Sequence, residues 1–178
     1  APGSARALAV VEDPDLQRWW RAAESIPWDA LPAGQREPEL PVVVALGDYR
    51  LYARYDLLAL SPDGDALILD WKSLEARPSP QVLESRLQTR IYLYSLVAAG
   101  QVLTGGPPIT PAQASMLYWF ANFPDRSAVI HYGSREYAED SERLRALVER
   151  IAGLERDAFT MTDDYRQCVR CTYRTLCQ

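Results

Sequence analysis

The sequence predicts a layered α/β (α+β) domain in which helices flank a mixed central β-sheet. Residues 40–72 alternate apolar, strand-like runs with strong turn signals. Apolar positions at helical spacing precede and follow that stretch. Two further strand-like runs then come before a last amphipathic segment, so the expected order is α-βββ-α-ββ-α.

Asp15 to Trp28 reads as the first helix, with Leu16, Trp19, Trp20 and Ala23 on one side. Pro27 and the stretch 31–34 end it. Val42 to Leu46 is a strand. Gly47-Asp48 suits a tight two-residue turn, because glycine accepts positive φ. The chain returns over Tyr49 to Leu60. Pro41 is tolerable near a strand start or on a sheet edge. Ser61-Pro62-Asp63-Gly64-Asp65 is a second turn, and Ala66 to Lys72 a third strand. Ser79-Pro80 opens a helix, Ser as N-cap and Pro at the first helical position. Leu83, Leu87, Ile91 and Tyr94 mark its buried face, and Gly100 is its stop. Residues 114–122 and 127–132 are the remaining strands, and 140–156 the last helix. Trp19, Trp20, Trp28, Tyr118, Trp119 and Phe120 read as core, with stacking on single-stranded DNA bases as the minor alternative.

The 178 residues fit a single domain, 1–178, with room for a substantial core. Residues 165–178 form a cysteine-containing tail. No run of 18 apolar residues is present, so a spanning helix is not expected. Ala1 to Arg6 lacks the regions of a signal peptide. Ala1 to Ser4 reads as an expression scar, and the chain as a piece of something longer. A net charge of −5 argues against coating DNA by bulk charge, but leaves room for a local basic groove. The cations are lopsided. Of 19, only Lys72 is a lysine.

That lysine belongs to a constellation. A turn centred on Asp63 sets opposite residues at numbers summing to 126, so Asp56 faces Asp70. A turn between Gly47 and Asp48 sets them at 95, so Glu39 faces Asp56. Lys72 lies two residues beyond Asp70, on the same face. Directly opposed side chains sit about 4.5–5.5 Å apart at Cβ. Three carboxylates at that spacing repel, and a hard divalent cation such as Mg²⁺ or Mn²⁺ resolves the conflict. Such an ion also activates water and stabilises charge on a phosphate. Lysine is a compact ammonium that can shift its pKa; arginine effectively cannot. The competing reading is a solvated polar strand face, and Arg54 falls opposite Lys72 in this register, which is unfavourable. Beyond the third strand, Glu84, Gln88 and Tyr92 are four apart and share a helix face. Gln88 and Tyr92 suit contacts with phosphates or with the catalytic groups; a polar helix edge is the bland alternative.

Three cysteines, Cys168, Cys171 and Cys177, close the chain. An odd, clustered set is a poor disulfide framework and a fair metal motif, which points to a reducing, cytoplasmic compartment.

Glu39, Arg54-Tyr55-Asp56, Leu69-Asp70-Trp71-Lys72, Gln88-x-x-x-Tyr92 and Cys168-x-x-Cys171-x5-Cys177 together resemble the RecB-like branch of the PD-(D/E)XK nuclease superfamily. That branch includes CRISPR-associated and recombination nucleases that carry an iron–sulfur cluster. The resemblance spans roughly residues 37–178. It implies a restriction-endonuclease-like core and Mg²⁺- or Mn²⁺-dependent hydrolysis of DNA phosphodiesters in repair, recombination or defence. It implies a DNA substrate, single-stranded or with ends, and a helicase or repair partner. By matching position, Asp56, Asp70 and the Trp71 carbonyl become metal ligands, and Lys72 the catalytic lysine. Glu39 matches the family's acidic residue before the hairpin, and Gln88 and Tyr92 the motif beyond the lysine, so all three join the catalytic set.

Two features depart from the pattern. Many members carry a His on a helix before the hairpin, whereas the only His here is His131. Cluster-bearing members also have a fourth Cys upstream, and this chain has none. The cysteines thus leave three readings: a [4Fe–4S] cluster completed from outside, a zinc site shared with His131, or plain thiols. A catalytically silent DNA-binding or scaffold domain is the alternative to an enzyme. A metal-cluster protein organised around the tail is a third possibility.

Overall fold

The strand-rich stretch pairs with itself in chain order because both of its turns are tight. β1 (Gln35–Leu46) and β2 (Tyr49–Leu60) join through Gly47-Asp48, with Gly47 at φ 60°. Their partners, from Leu46↔Tyr49 to Gln35↔Leu60, sum to 95 throughout. β3 (Ala66–Lys72) follows the second turn, closed by the Ser61 Oγ that accepts from Asp65 N–H. It pairs with β2 from Leu60↔Ala66 to Leu57↔Leu69, a sum of 126. β4 (Ala114–Phe120) runs parallel to β3, and β5 (Ala128–His131) antiparallel to β4. The five-stranded sheet therefore has the order β1-β2-β3-β4-β5 and is mixed. Pro38 and Pro41 lie on the edge strand β1, where a missing N–H is tolerated. This computed structural model describes residues 13–158, 161–169 and 171–176.

Helices cover both faces. α1 (Pro14–Ala23) starts at Asp13, whose side chain accepts from Asp15 N–H and Leu16 N–H. After β3 come α2 (Pro80–Ser85), α3 (Leu87–Ala98) and α4 (Gly100–Thr104). α5 (Ser134–Ala152) follows β5, and the short α6 (Tyr165–Val169) lies in the tail. One core joins Val42, Val44, Ile68, Met116 and Tyr118 of the sheet to Leu93 and Leu96 of α3 and Leu144 of α5. The other joins Leu57, Leu69, Leu117 and Trp119 to Ile26, Leu31 and the inner side of α1. On the first side, buried Asp140 accepts from Tyr132 Oη at 2.8 Å and lies 3.7 Å from an Arg90 nitrogen. That network ties α5, β5 and α3 together.

The inward alternation of β2 changes at Asp56. Ala53 and Tyr55 precede it and Leu58 and Leu60 follow it, all in the first core, whereas Leu57 and Ala59 lie in the second. The ladder skips the facing pair Glu39 and Asp56. Glu39 is the only non-glycine residue with positive φ among those described, at 52°.

Several sequence expectations need correction. The helix expected to run from residue 80 to 99 breaks at Arg86, whose ψ is 138°. Thr89 explains the break: buried and without access to water, its hydroxyl bonds the Leu83 carbonyl and the Tyr118 hydroxyl. The Leu83 carbonyl also accepts from Arg86 N–H, a tight closing turn rather than a continued helix. Glu84 is thereby separated from the face of Gln88 and Tyr92. Leu87, at the start of α3, is exposed rather than buried. Gly100 begins α4 instead of stopping the helix, and the left-handed cap is Gly105 at φ 62°. The first helix ends at Ala23 and a 3₁₀ turn covers Trp28–Ala30. Trp20 and Trp28 are partly exposed and not core. The last long helix starts and ends earlier than expected, at Ser134 and Ala152.

Gly100 has a packing reason. A Cβ placed there would meet Ile109 N at 2.6 Å and Ile109 Cβ at 2.8 Å. In an open helix Gly→Ala stabilises by about 1 kcal/mol. Here the clash reverses the sign, and Gly100→Ala is expected to lower stability by about 1–3 kcal/mol, the usual cost of overpacking. Urea unfolding measures it, and a raised midpoint would contradict the packing argument.

Candidate active site

Asp70 is the centre of the arrangement. Its residue is 1% exposed, although it carries an ionisable group. β3 places Asp70 and Lys72 on the same face, and α3, reoriented by the break at Arg86, brings Gln88 beside them. Gln88 Nε2 donates to Asp70 Oδ1 at 3.0 Å. Lys72 Nζ donates to Gln88 Oε1 at 3.3 Å and lies 2.8 Å from Asp70 Oδ2. One amide thus spans the carboxylate and the ammonium, and this fixes which way round it sits. The Lys72 ammonium is the partner of the buried Asp70 Oδ2, which has no other among the described residues.

Asp56 comes from the adjoining strand, where the ladder has opened. Its Oδ2 accepts from Trp71 N–H at 2.9 Å. In an antiparallel pair, the N–H and C=O of one residue point to the same neighbour. The Trp71 carbonyl therefore looks toward Asp56, while the next carbonyl, of Lys72, accepts from Ala121 N–H on the far side. Tyr92 Oη donates to the Arg54 carbonyl at 2.5 Å, and the Tyr92 ring packs edge-on to Tyr55 at 5.2 Å.

Glu39 does not complete a cluster of three carboxylates. It is exposed and forms a 2.8 Å ion pair with Arg54. This pair also removes the unfavourable opposition of Arg54 and Lys72, since each cation has its own carboxylate partner. Glu39 sits at the rim, near enough to raise the pKa of Asp56. Among the described residues no three His, Cys, Asp or Glu side chains group as metal ligands. His131 lies on the far edge strand β5, away from the carboxylates. Cys168 and Cys171 are free thiols, and Cys177 lies outside the described residues.

The electrostatics fit a hard cation. Burial pushes the Asp70 carboxyl up to about 6; Lys72 opposes that shift, Asp56 adds to it, and Arg86 opposes it. Burial also raises Asp56, against the Trp71 N–H and the Lys72 charge. Two carboxylates that resist ionisation, one of them buried against a single ammonium, suit a divalent ion. Magnesium typically takes one or two carboxylates and completes its shell with other oxygens. Asp56, Asp70 and the Trp71 carbonyl could supply such a donor set. The sequence pattern does not single out Arg86. Only the helix break puts it near Asp70, and no local pattern announces that break.

A family model described as the PD-(D/E)XK nuclease superfamily matches residues 4–178. The chain belongs to this superfamily. The mixed sheet with flanking helices is consistent with its restriction-endonuclease-like fold. No curated protein matches the chain. Among solved structures, the crystal structure of SSO0001 aligns over 98% of this chain and 77% of its own, at 17% identity and a TM-score of 0.47. Nucleases of the superfamily typically use divalent metals and act on nucleic acid. No described helix is long and apolar enough to cross a membrane.

The raised Asp70 pKa has a stability consequence. Its ordinary value is 3.8 and its folded value about 6. The folded state then binds the proton more tightly. The metal-free protein gains stability as pH falls from about 6 to about 4, and loses it as pH rises through that window. Asp70→Asn should therefore raise the melting temperature in chelator at about pH 8, with the margin shrinking toward about pH 5. Parallel melts of parent and variant at the two pH values decide it; equal Tm values at the higher pH would contradict the assignment.

Proposed function

We propose that this chain is a divalent-metal-dependent deoxyribonuclease of the RecB-like branch, with Asp56, Asp70, Lys72 and Gln88 at its catalytic centre. The observation that carries the reading is the Asp70–Lys72–Gln88 ring set beside Asp56 on one face of the sheet. Residues 1–178 are read as one nuclease domain with a cysteine-bearing tail from 165. A role in repair, recombination or defence, beside a helicase or repair partner, follows from the RecB-like resemblance and belongs to the same proposal.

Asp56, Asp70 and the Trp71 carbonyl would hold Mg²⁺ or Mn²⁺, which supplies Lewis-acid stabilisation of phosphate charge and activation of water. Lys72 holds a positive charge against the reacting phosphate, with a side chain 21% exposed and thus partly shielded from water. Gln88 fixes the directions of Asp70 and Lys72 together. Tyr92 secures the middle of β2 at Arg54, and through it the Glu39–Arg54 rim. Arg86 adds a second cation on the Asp70 side. These groups are set before substrate arrives, the form of catalysis that needs least reorganisation.

Purified protein should cleave DNA with Mg²⁺ or Mn²⁺ and not in chelator. Asp70→Ala should abolish cleavage and leave the fold intact. Lys72→Arg should slow cleavage at least tenfold, or about 1.4 kcal/mol of barrier. A planar guanidinium is bulkier than the ammonium that meets both Asp70 and Gln88, and it stays protonated. Single-turnover cleavage, with DNA binding measured separately, tests this. Parental rates in Lys72→Arg would reduce Lys72 to a phosphate anchor. Absence of cleavage by the parent would favour the silent DNA-binding reading, for which the lack of an upstream His is the specific argument.

The tail is proposed to carry a [4Fe–4S] cluster on Cys168, Cys171 and Cys177, with a fourth ligand from outside these three. The turn that returns Cys171 N–H to the Cys168 carbonyl holds two of them close in the chain. Anaerobically purified protein should then be brown, with about four irons per chain. Colourless, metal-free protein with three alkylatable thiols would remove the cluster from the proposal.

A further inference from the structure

A groove of about 690 Å³ runs between α1 and the sheet, on the face opposite Asp70. The chain has five tryptophans, and all five line it: Trp19, Trp20, Trp28, Trp71 and Trp119. Apolar burial alone would close such a set of rings into the core. Instead Trp20, Trp28 and Trp71 remain 44%, 37% and 39% exposed. The volume lies within the range of small-ligand sites. Trp19 Nε1 is held by Asn122 Oδ1 at 2.8 Å, which fixes its ring. Trp119, 3% exposed, has an indole N–H with no acceptor among the described residues. A buried indole N–H usually finds a partner.

The groove and the catalytic centre meet at the C-terminal end of β3, where they share Trp71 and Lys72. Trp71 walls the groove, and the backbone N–H of the same residue holds Asp56. Lys72 forms part of its lining while its ammonium pairs with Asp70. Cations flank the rings. The Arg36 guanidinium lies 5.8 Å from the Trp28 ring centroid, and Arg18 reaches Asn122 although it is also paired with Asp15. Flat aromatic faces among cations that track a phosphate chain are the means by which proteins hold unpaired bases without reading sequence.

We propose that this groove binds an unpaired nucleobase of the DNA strand whose phosphate lies at Asp56 and Asp70, so that the enzyme favours single-stranded or frayed ends. The inference rests on the nuclease reading for its position, but its test does not require cleavage. Tryptophan fluorescence is followed in chelator while oligo(dT), an abasic oligomer of equal length, or a blunt duplex is added. Oligo(dT) should quench the emission; the abasic chain and the duplex should not. Trp20→Ala and Trp28→Ala, at exposed rings, should each weaken oligo(dT) binding by about tenfold, within the range for loss of one stacked base. Circular dichroism confirms that both variants are folded. Equal binding of abasic chain and oligo(dT), or unchanged affinity in folded Trp28→Ala, overturns the proposal. So does concentration-dependent self-association that Trp28→Ala abolishes, which would give the groove to a second copy. Quenching by oligo(dT) without any metal-dependent cleavage would keep the groove and reject the enzyme.

Discussion

The site depends on one interruption of backbone pairing. Between Pro38↔Leu57 and Leu40↔Tyr55 the ladder lapses for a single facing pair, Glu39 and Asp56, without a change of register. Across that lapse β2 turns a different set of residues inward. A regular hairpin would have committed each position of β2 to one core or the other. The lapse frees Asp56 from the ladder beside the end of β3, where its carboxylate takes up the otherwise unpaired Trp71 N–H. Positive φ in a glutamate is uncommon, and such strain persists where the surroundings over-determine it. Pro38 and Pro41 on either side, together with the Arg54 ion pair, provide those surroundings here.

The second contribution comes from a polar group buried elsewhere. Thr89 lies inside the first core and must satisfy its hydroxyl there. It does so with the Leu83 carbonyl and the Tyr118 hydroxyl, and the helix is divided as a result. Division sets the angle at which α3 leaves, and that angle delivers Gln88 to Asp70 and Tyr92 to β2. Tyr118, whose hydroxyl is pushed up to about 12 chiefly by burial, stays neutral in this role. Its ring also lies 5.9 Å beneath the Lys72 ammonium. Packing and chemistry therefore share the same side chains along β4 and α3.

The two turns make the register of three strands legible in the amino-acid order alone. Gly47-Asp48 and Asp63-Gly64 each specify a turn centre, and the paired numbers follow from it. The face shared by Asp70 and Lys72 is legible from their spacing on one strand, whereas Asp56 sits where the ladder has opened, and the mixed sheet follows from the order of elements. Three features are not legible in this way. The backbone turn at Glu39 has no side-chain signature, so its withdrawal toward Arg54 leaves no trace in the pattern. The division at Arg86 depends on Tyr118, a residue distant in sequence, and a helical pattern that runs through 80–99 conceals it. The tryptophans of α1 fit an apolar stripe, which periodicity assigns to core. Only the spacing between α1 and the sheet leaves the groove open, with Trp20, Trp28 and Trp71 reaching solvent along it.

The Asp70–Lys72 contact also bears on how the protein matures. A classical zinc finger takes its folding free energy from the metal and is unfolded without it. In this chain the buried carboxylate already has a counter-ion from its own strand, two residues on. Folding does not need a further cation at that carboxylate. Under the proposed function, a newly made molecule would be ordered before any divalent cation reached it, and the supply of that cation would set when it begins to act.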